Sequence, residues 1–156
     1  MSLDLSVLMK KKISKRLLGS INTFLTVHGF YKDEYGYCHG EDDISLDVYT
    51  NMEPEKDDYW DDDGLIDAIG FVPMTEISLE SRHSIESHQS NYHFAKKLAK
   101  LVDGVIYDPQ VGVMYDYEGK PYSCYRKDDK LEEYGAGTDL FMQGLGVVKD
   151  LLDEKK

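Results

Sequence analysis

Five aspartates surround a tyrosine and the only tryptophan of the chain, within its densest run of acid. The seven residues are Asp57, Asp58, Tyr59, Trp60, Asp61, Asp62 and Asp63. Clustered carboxylates repel one another and require water, whereas each ring gains roughly 150 to 250 Å² of contact when it is buried. Either the protein's own core or a cationic partner could cover the rings. We predict that these residues bind a basic protein.

A metal site at the acidic run is not supported by the spacing of its residues. If Gly64 takes the sixth position of an EF-hand loop, Tyr59 falls at the first position and Gly70 at the twelfth, where the loop requires carboxylates. Three histidines recur at intervals of five residues, at His83, His88 and His93. A helix would turn successive members of that series by about 140°, whereas metal sites on one helix use intervals of three or four. We expect partly exposed, polar histidines, no metal and no cofactor.

Catalytic chemistry has little support in the sequence. Cys38 precedes His39, but adjacent residues of a strand face opposite sides and cannot form a hydrogen-bonded pair. Cys124 has no candidate base nearby. Asp108 and Asp116 could pair as acid and base, although aspartates are also common at turns. The pattern favours a non-enzymatic protein and predicts no catalytic residue.

The net charge of -12 is concentrated in one part of the chain. Residues 32–67 carry two basic and fourteen acidic side chains, whereas residues 1–31 carry five basic and one acidic. Residues 68–156 carry eleven basic and fifteen acidic side chains. A negative field repels phosphate backbones and anionic lipids and attracts cationic surfaces. We therefore expect a basic protein partner rather than nucleic acid or a membrane.

The length of 156 residues suits one domain, so residues 1–156 are expected to fold as a unit. No apolar run approaches the roughly 18 residues of a membrane span. The first residues place lysines after the apolar positions, which is the reverse of a signal peptide. The two cysteines stand in no zinc or redox spacing. These features predict a cytoplasmic protein.

The first predicted element is a long amphipathic helix. Its apolar residues recur every four positions, at Leu5, Met9, Ile13, Leu17, Ile21 and Leu25. That spacing is typical of one helix face, and Gly29 follows as the expected C-cap. Five cations would lie on the outer face, at Lys10, Lys11, Lys12, Lys15 and Arg16. They could be simply solvated, or could form a docking face for an acidic partner.

The remaining patterns predict strands, two further helices and their turns. Alternation or apolar content predicts strands at residues 35–39, 44–50, 65–72, 75–80, 105–107, 111–117 and 122–126. One helix should begin in the serine-rich residues 81–90 and end at Asp103 with Gly104 as its cap, and the last should begin at Thr138. The order predicts an α+β domain with a mostly antiparallel sheet of about five to six strands. Helices should cover one face, with one βαβ crossover between parallel neighbours.

Five tyrosines are concentrated in the last predicted strands. They are Tyr107, Tyr115, Tyr117, Tyr122 and Tyr125. Tyrosine provides contact area with little loss of entropy, so these rings could belong to an interface. They could equally cover one face of the sheet.

Small acidic bacterial toxin-immunity proteins resemble this chain in size, in cytosolic composition and in their mixture of acids with aromatic anchors. The resemblance is one of physical character and rests on no aligned motif. It implies neutralisation of a nuclease toxin, whose cationic cleft would receive carboxylates in place of phosphates. Two alternatives stay open: a small-ligand-binding or enzymatic domain with a pocket between sheet and helices, and a subunit or adaptor that docks through the first helix. Self-association also stays open.

Overall fold

The computed structural model of the chain describes residues 2–34, 36–40, 44–50, 66, 69–82, 84–110 and 112–122. The predicted partner-binding residues 57–63 lie outside this part of the chain. His83, Cys124 and Tyr125 lie outside it as well, and so does the helix predicted from Thr138.

The described residues form seven strands and two helices. In chain order they are β1 (Ser2–Met9), α1 (Lys15–Val27), β2 (Tyr31–Lys32), β3 (Tyr37–His39), β4 (Ile44–Thr50), β5 (Thr75–Arg82), α2 (Ile85–Val102), β6 (Val105–Asp108) and β7 (Val113–Tyr115). The strands form one sheet in the order β2-β3-β4-β5-β1-β6-β7, and all neighbours are antiparallel. The predicted α+β class is confirmed, with slightly more strands than expected.

The chain begins with a strand, so the prediction of a helix from Leu5 was wrong over β1. A spacing of four residues is a multiple of two, and it therefore keeps apolar residues on one face of a strand as well as of a helix. Leu5 and Val7 face the core under the helices, whereas Leu8 packs on the opposite face. β1 is paired with β5 along one edge and with β6 along the other, so it is an interior strand.

Helix α1 begins at Lys15 because Ser14 caps it. The Ser14 hydroxyl accepts a hydrogen bond from the backbone N–H of Leu17 at 3.1 Å. The helix ends at Val27 with His28 as the C-cap, and Gly29 follows with a φ of 86°. Gly29 therefore takes the left-handed conformation expected just after a helix end.

Helix α2 begins after Ser84, whose hydroxyl accepts from the N–H of Ser87 at 3.0 Å. Its C-cap is Asp103, with a φ of 54°, and not Gly104 as predicted. Aspartate tolerates this left-handed conformation. Gly104 is required for another reason, since a Cβ there would lie 2.7 Å from Val7 Cγ1. The missing side chain lets the connection between α2 and β6 approach β1 closely.

Strands β5 and β6, linked by α2, are parallel but are not neighbours. Each pairs with β1 in antiparallel orientation, so β1 lies between them. The predicted βαβ crossover is therefore present, but its prediction as a link between adjacent strands was wrong. The reason is that β1, which is buried on both faces, takes the position between them.

Both helices cover the same face of the sheet, as predicted. Ile21 and Leu25 of α1 and Leu98 of α2 belong to one buried cluster with the inward side chains of β1, β4 and β5. On the opposite face Leu8 packs with Ile69 in a smaller cluster. No helix in the described part of the chain is long and apolar enough to span a membrane.

The hairpin predicted at residues 35–39 and 44–50 is confirmed by β3 and β4, which pair with Tyr37 opposite Leu46. The strand predicted at residues 65–72 was wrong for the residues that are described. Ile66 and Ile69 are helical, and the N–H of Gly70 donates to the carbonyl of Ile66 at 2.8 Å. The apolar residues of this segment cover the sheet face instead of extending the sheet.

Candidate functional site

The flanks of the predicted acidic site are attached to one end of the sheet. β4 ends at Thr50, which pairs with Thr75 at the start of β5, and Thr75 also pairs with Met9 at the end of β1. On the other flank, Ile69 packs against Leu8, the residue before Met9. We call the end of the sheet at which β1 finishes the Met9 end, and the end at which β1 starts the Ser2 end. The chain leaves and rejoins the sheet on either side of residues 57–63 at the Met9 end.

Five cations are gathered at the Met9 end, where β1 is followed by the start of α1. They are Lys10, Lys11, Lys12, Lys15 and Arg16, and all are exposed. Their prediction as one outer helix face was wrong for the first three, which lie in the loop before α1. None of the five forms an ion pair with another described residue. The result is a dense positive patch on a chain with a net charge of -12.

The lysine loop is fixed to the sheet by a buried threonine. The Thr75 hydroxyl accepts from the N–H of Ile13 at 2.9 Å and donates to the carbonyl of Lys11 at 2.9 Å. The N–H of Met74 donates to the carbonyl of Met9 at 2.9 Å. These bonds tie both ends of the loop to the segment that starts β5, so its backbone is ordered before any partner arrives.

A groove of about 330 Å³ lies between this loop and the end of α2. It is lined by Met9, Lys10, Lys11, Lys12, Ser14, Leu17, Val102 and Asp103. The apolar side chains among these come from β1, α1 and α2, whereas the three lysines are consecutive in the loop. We call this feature the Met9 groove. Its chemistry combines an apolar wall with a rim of three lysines and one carboxylate, that of Asp103.

The helical layer as a whole is positively charged. The lysine loop and the two helices carry eight basic side chains and one acidic side chain, Glu86. The basic side chains of α2 are Lys96, Lys97 and Lys100. This layer therefore differs in sign from the chain as a whole.

At the Ser2 end, by contrast, polar groups pair with one another. Extending the register of β1 and β6 by two residues places Pro109 opposite Asp4, and proline has no N–H to donate. In the orientation that satisfies its neighbours, the Gln110 amide donates to the carbonyl of Asp4 at 2.8 Å and accepts from its N–H at 3.0 Å. The same amide donates to Asp108 Oδ1 at 2.7 Å. A side chain thus replaces the missing ladder bonds.

The two aspartates considered as an acid–base pair are not brought together. Asp108 is buried and accepts the backbone N–H of Gln110 at 3.0 Å, whereas Asp116 accepts those of Glu118 and Lys120. Extending the register of β6 and β7 by one residue places Asp116 opposite Val105, the first residue of β6, three residues and roughly 10 Å from Asp108. Both carboxylates organise turns.

The described histidines differ from the predicted partly exposed set. His88 is fully buried in the first turns of α2, and burial lowers its pKa from 6.5 to about 4. His93 is exposed, and its pKa is lowered by partial desolvation and then by Lys97, Lys96 and His28. Among the described residues, no group of three histidines, cysteines or carboxylates could hold a metal ion.

Cys38 and His39 have different surroundings. The Cys38 thiol donates to Asp33 Oδ2 at 3.1 Å, whereas the His39 ring packs on Phe30 with the ring centroids 5.0 Å apart. The two side chains are used separately, as their adjacency on β3 predicts.

Most of the described tyrosines among the five take part in packing. Tyr115 is fully buried and meets Tyr92 edge to face, with centroids 5.7 Å apart. The Tyr122 hydroxyl donates to the carbonyl of Ile69 at 3.2 Å. Tyr117 is 42% exposed, which makes it the most exposed of the four described tyrosines in this set. These rings cover the two faces of the sheet more than they form a surface patch.

Comparison of the chain with protein-family models, with curated proteins and with solved structures found no match.

Proposed function

We propose that the chain is a non-enzymatic protein-binding module that neutralises a basic partner, such as a nuclease toxin, through residues 57–63. This is the role of a bacterial cytoplasmic immunity protein. The observation that carries the proposal is that residues 32–67 contain fourteen acidic side chains and only two basic ones. An excess of this size within 36 residues raises the rate of encounter with a cationic surface.

The mechanism follows from the two kinds of side chain in the stretch. The five aspartates would take the places of phosphate groups in a cationic cleft, and Trp60, with Tyr59, would fill an apolar pocket at the centre. The charges would provide rapid association, and the rings would provide a slow rate of dissociation.

The attachment of the stretch also supports the proposal. Thr50 belongs to the β-ladder, and Ile69 is buried against Leu8, so both flanks are held by the folded domain. Anchoring a recognition segment at both sides reduces the conformational entropy that it can lose on binding.

The alternatives have less support from the contacts of the described residues. The candidate catalytic groups of the enzymatic hypothesis have structural contacts instead. Asp108 and Asp116 accept hydrogen bonds within turns, and the Cys38 thiol is hydrogen-bonded to Asp33. For the adaptor hypothesis, Ile21 and Leu25 of the first helix are buried against the protein's own sheet. The apolar stripe that would dock on another protein is already in use.

The test is affinity capture from the native host with three forms of the protein, at low and high salt. They are the wild type, an Asp61→Asn, Asp62→Asn, Asp63→Asn variant, and a matched control with Glu80→Gln, Glu86→Gln and Glu118→Gln, which removes three exposed acids elsewhere. We expect the wild type and the control to retain a basic protein that salt releases. The aspartate variant should lose it.

The captured partner is then purified and titrated against the single tryptophan. We expect Trp60→Ala to cost more than about 2 kcal/mol of binding free energy, roughly thirtyfold in Kd. The association rate should fall steeply between low and physiological salt. A partner that is not basic, or equal retention by the aspartate variant and the control, would contradict the proposal. Recovery of no partner would favour a small-ligand-binding domain.

A further inference from the structure

A second surface at the Met9 end has the opposite charge to residues 57–63. We propose that the Met9 groove binds a short acidic peptide segment of a partner protein, with one apolar side chain in the groove and carboxylates on Lys10, Lys11 and Lys12. This site is separate from the proposed function and uses none of its residues.

The electrostatics of the free protein are unfavourable at this site. The N-terminus of a helix carries a partial positive charge of about half an elementary charge, which is normally offset by acidic residues in the first turn. The first turn of α1 contains no acid and instead has Lys15 and Arg16. Together with the three loop lysines, these side chains repel one another and the helix dipole. A bound anion would relieve that repulsion.

The groove also has an apolar wall, which selects among anions. Half-buried Leu17 provides accessible apolar surface, whereas Met9 and Val102, which are only 3% and 8% exposed, lie beneath it. A volume of about 330 Å³ is at the small end of ligand pockets, so the groove suits one side chain and adjoining backbone rather than a large cofactor. Inorganic phosphate would leave the apolar wall uncovered.

The loop that carries the lysines is already ordered. Thr75 bonds to Ile13 and to the carbonyl of Lys11, so binding does not have to order the backbone. A preorganised rim loses less entropy when it captures a peptide. A loop tied to the sheet in this way is suited to recognition as well as to connection.

The size of the positive region favours a peptide over a nucleic acid or a membrane. Charges are screened over about 8 Å at physiological ionic strength, so a short peptide in the groove experiences mainly the local cations. An extended polyanion would also approach the acidic remainder of a chain with a net charge of -12. The local field attracts the peptide, whereas the overall field opposes the polymer.

The test uses a short, fluorescently labelled peptide of aspartates around one leucine, titrated with the full chain at physiological ionic strength. We expect Lys10→Gln, Lys11→Gln, Lys12→Gln to weaken binding by about tenfold or more. The matched control, Lys96→Gln, Lys97→Gln, Lys100→Gln, removes the same charge from α2 and should weaken it by less than about threefold. Replacing the leucine of the peptide by serine should also weaken binding, because the apolar wall is then unfilled. Thermal unfolding of both variants verifies that they fold.

Several results would overturn the proposal. They are no saturable binding of the peptide, equal weakening in the two lysine variants, or tighter binding of anionic vesicles or a single-stranded oligonucleotide than of the peptide. A further arm uses the Asp61→Asn, Asp62→Asn, Asp63→Asn variant. Unchanged peptide affinity supports the proposal whether or not a basic partner exists, whereas much tighter affinity would overturn it, because the groove would then be occupied by the chain's own acid.

Discussion

The two ends of the sheet deal with charge in opposite ways. At the Ser2 end, Asp108 is buried and its carboxylate is hydrogen-bonded to Gln110, which also forms hydrogen bonds with the backbone N–H and carbonyl of Asp4. At the Met9 end, the cations of residues 10–16 are exposed and share no ion pair with the rest of the described chain. One end uses polar groups in pairs, and the other exposes a run of cations.

The difference indicates which end contributes to stability and which is suited to recognition. A buried, bonded carboxylate is costly to remove because its donors are left unpaired. Exposed like charges contribute nothing to stability and often reduce it, so their concentration at one place suits a binding role. Substitutions at the Ser2 end should therefore change stability, and those at the Met9 end should change binding.

The largest expected effect is at the Ser2 end. Asp108→Ala should lower the free energy of unfolding by about 3 kcal/mol, because the N–H and side chain of Gln110 both lose a buried acceptor. Urea denaturation measures the change. Asp108→Asn keeps an oxygen at the same position and should restore a substantial part of the loss.

The control for this prediction is Lys11→Ala at the Met9 end, which should change the free energy of unfolding by less than about 0.5 kcal/mol. Equal losses in Asp108→Ala and Lys11→Ala would remove the distinction between the two ends.

The second effect is a dependence of stability on pH that arises from His88, near the Ser2 end. Its folded pKa is lowered to about 4, whereas the unfolded chain takes up the proton near pH 6.5. The contribution of His88 to the free energy of unfolding is fully present above about pH 6.5. It is lost as the pH falls toward 4, by about 2 kcal/mol between pH 7.5 and pH 5. Denaturation curves at both pH values measure it.

His88→Gln should remove most of this slope, whatever it does to stability at pH 7.5. His93→Gln, on the exposed side of the same helix, should leave most of the slope in place. A slope that persists in His88→Gln would assign the pH dependence to other groups.

The smallest effect tests the charges at the Met9 end itself. Lys15→Glu places an acid in the first turn of α1 and should raise the free energy of unfolding by about 0.5 kcal/mol. Lys100→Glu makes the same charge change in the last turn of α2 and should lower it by a similar amount. Lys15→Glu should also weaken the binding of the acidic peptide to the Met9 groove. If both changes have the same sign, the helix dipoles are not the cause.

Local periodicity in the sequence predicted several elements correctly. Residues of β4 and β5 alternate strictly, and the serine-rich start of α2 follows ordinary N-capping preferences. The same reasoning failed for β1, because a four-residue interval fits both a strand and a helix. Only the pairing of β1 with β5 and β6 resolves that ambiguity, and pairing between distant segments leaves no local pattern.

The candidate sites were predicted in a similarly uneven way. The residues that supply charge, from Lys10 to Arg16, were recognised from composition alone. The groove was not, because Val102 and Asp103 reach it from a helix that is distant in sequence, and Thr75 fixes the loop from another strand. The site predicted at residues 57–63 stays a prediction, since it lies outside the described part of the chain.

The position of β1 between β5 and β6 also determines when the fold can form. Its partners are residues 75–82 on one side and residues 105–107 on the other, so its ladders close loops of roughly 70 and 100 residues. Contacts between residues so far apart in sequence slow folding. During synthesis β1 lacks its β5 partner until residue 82 has left the ribosome, and it lacks its β6 partner until residue 107 has done so. We therefore expect the rate of folding to be sensitive to substitutions in residues 2–9.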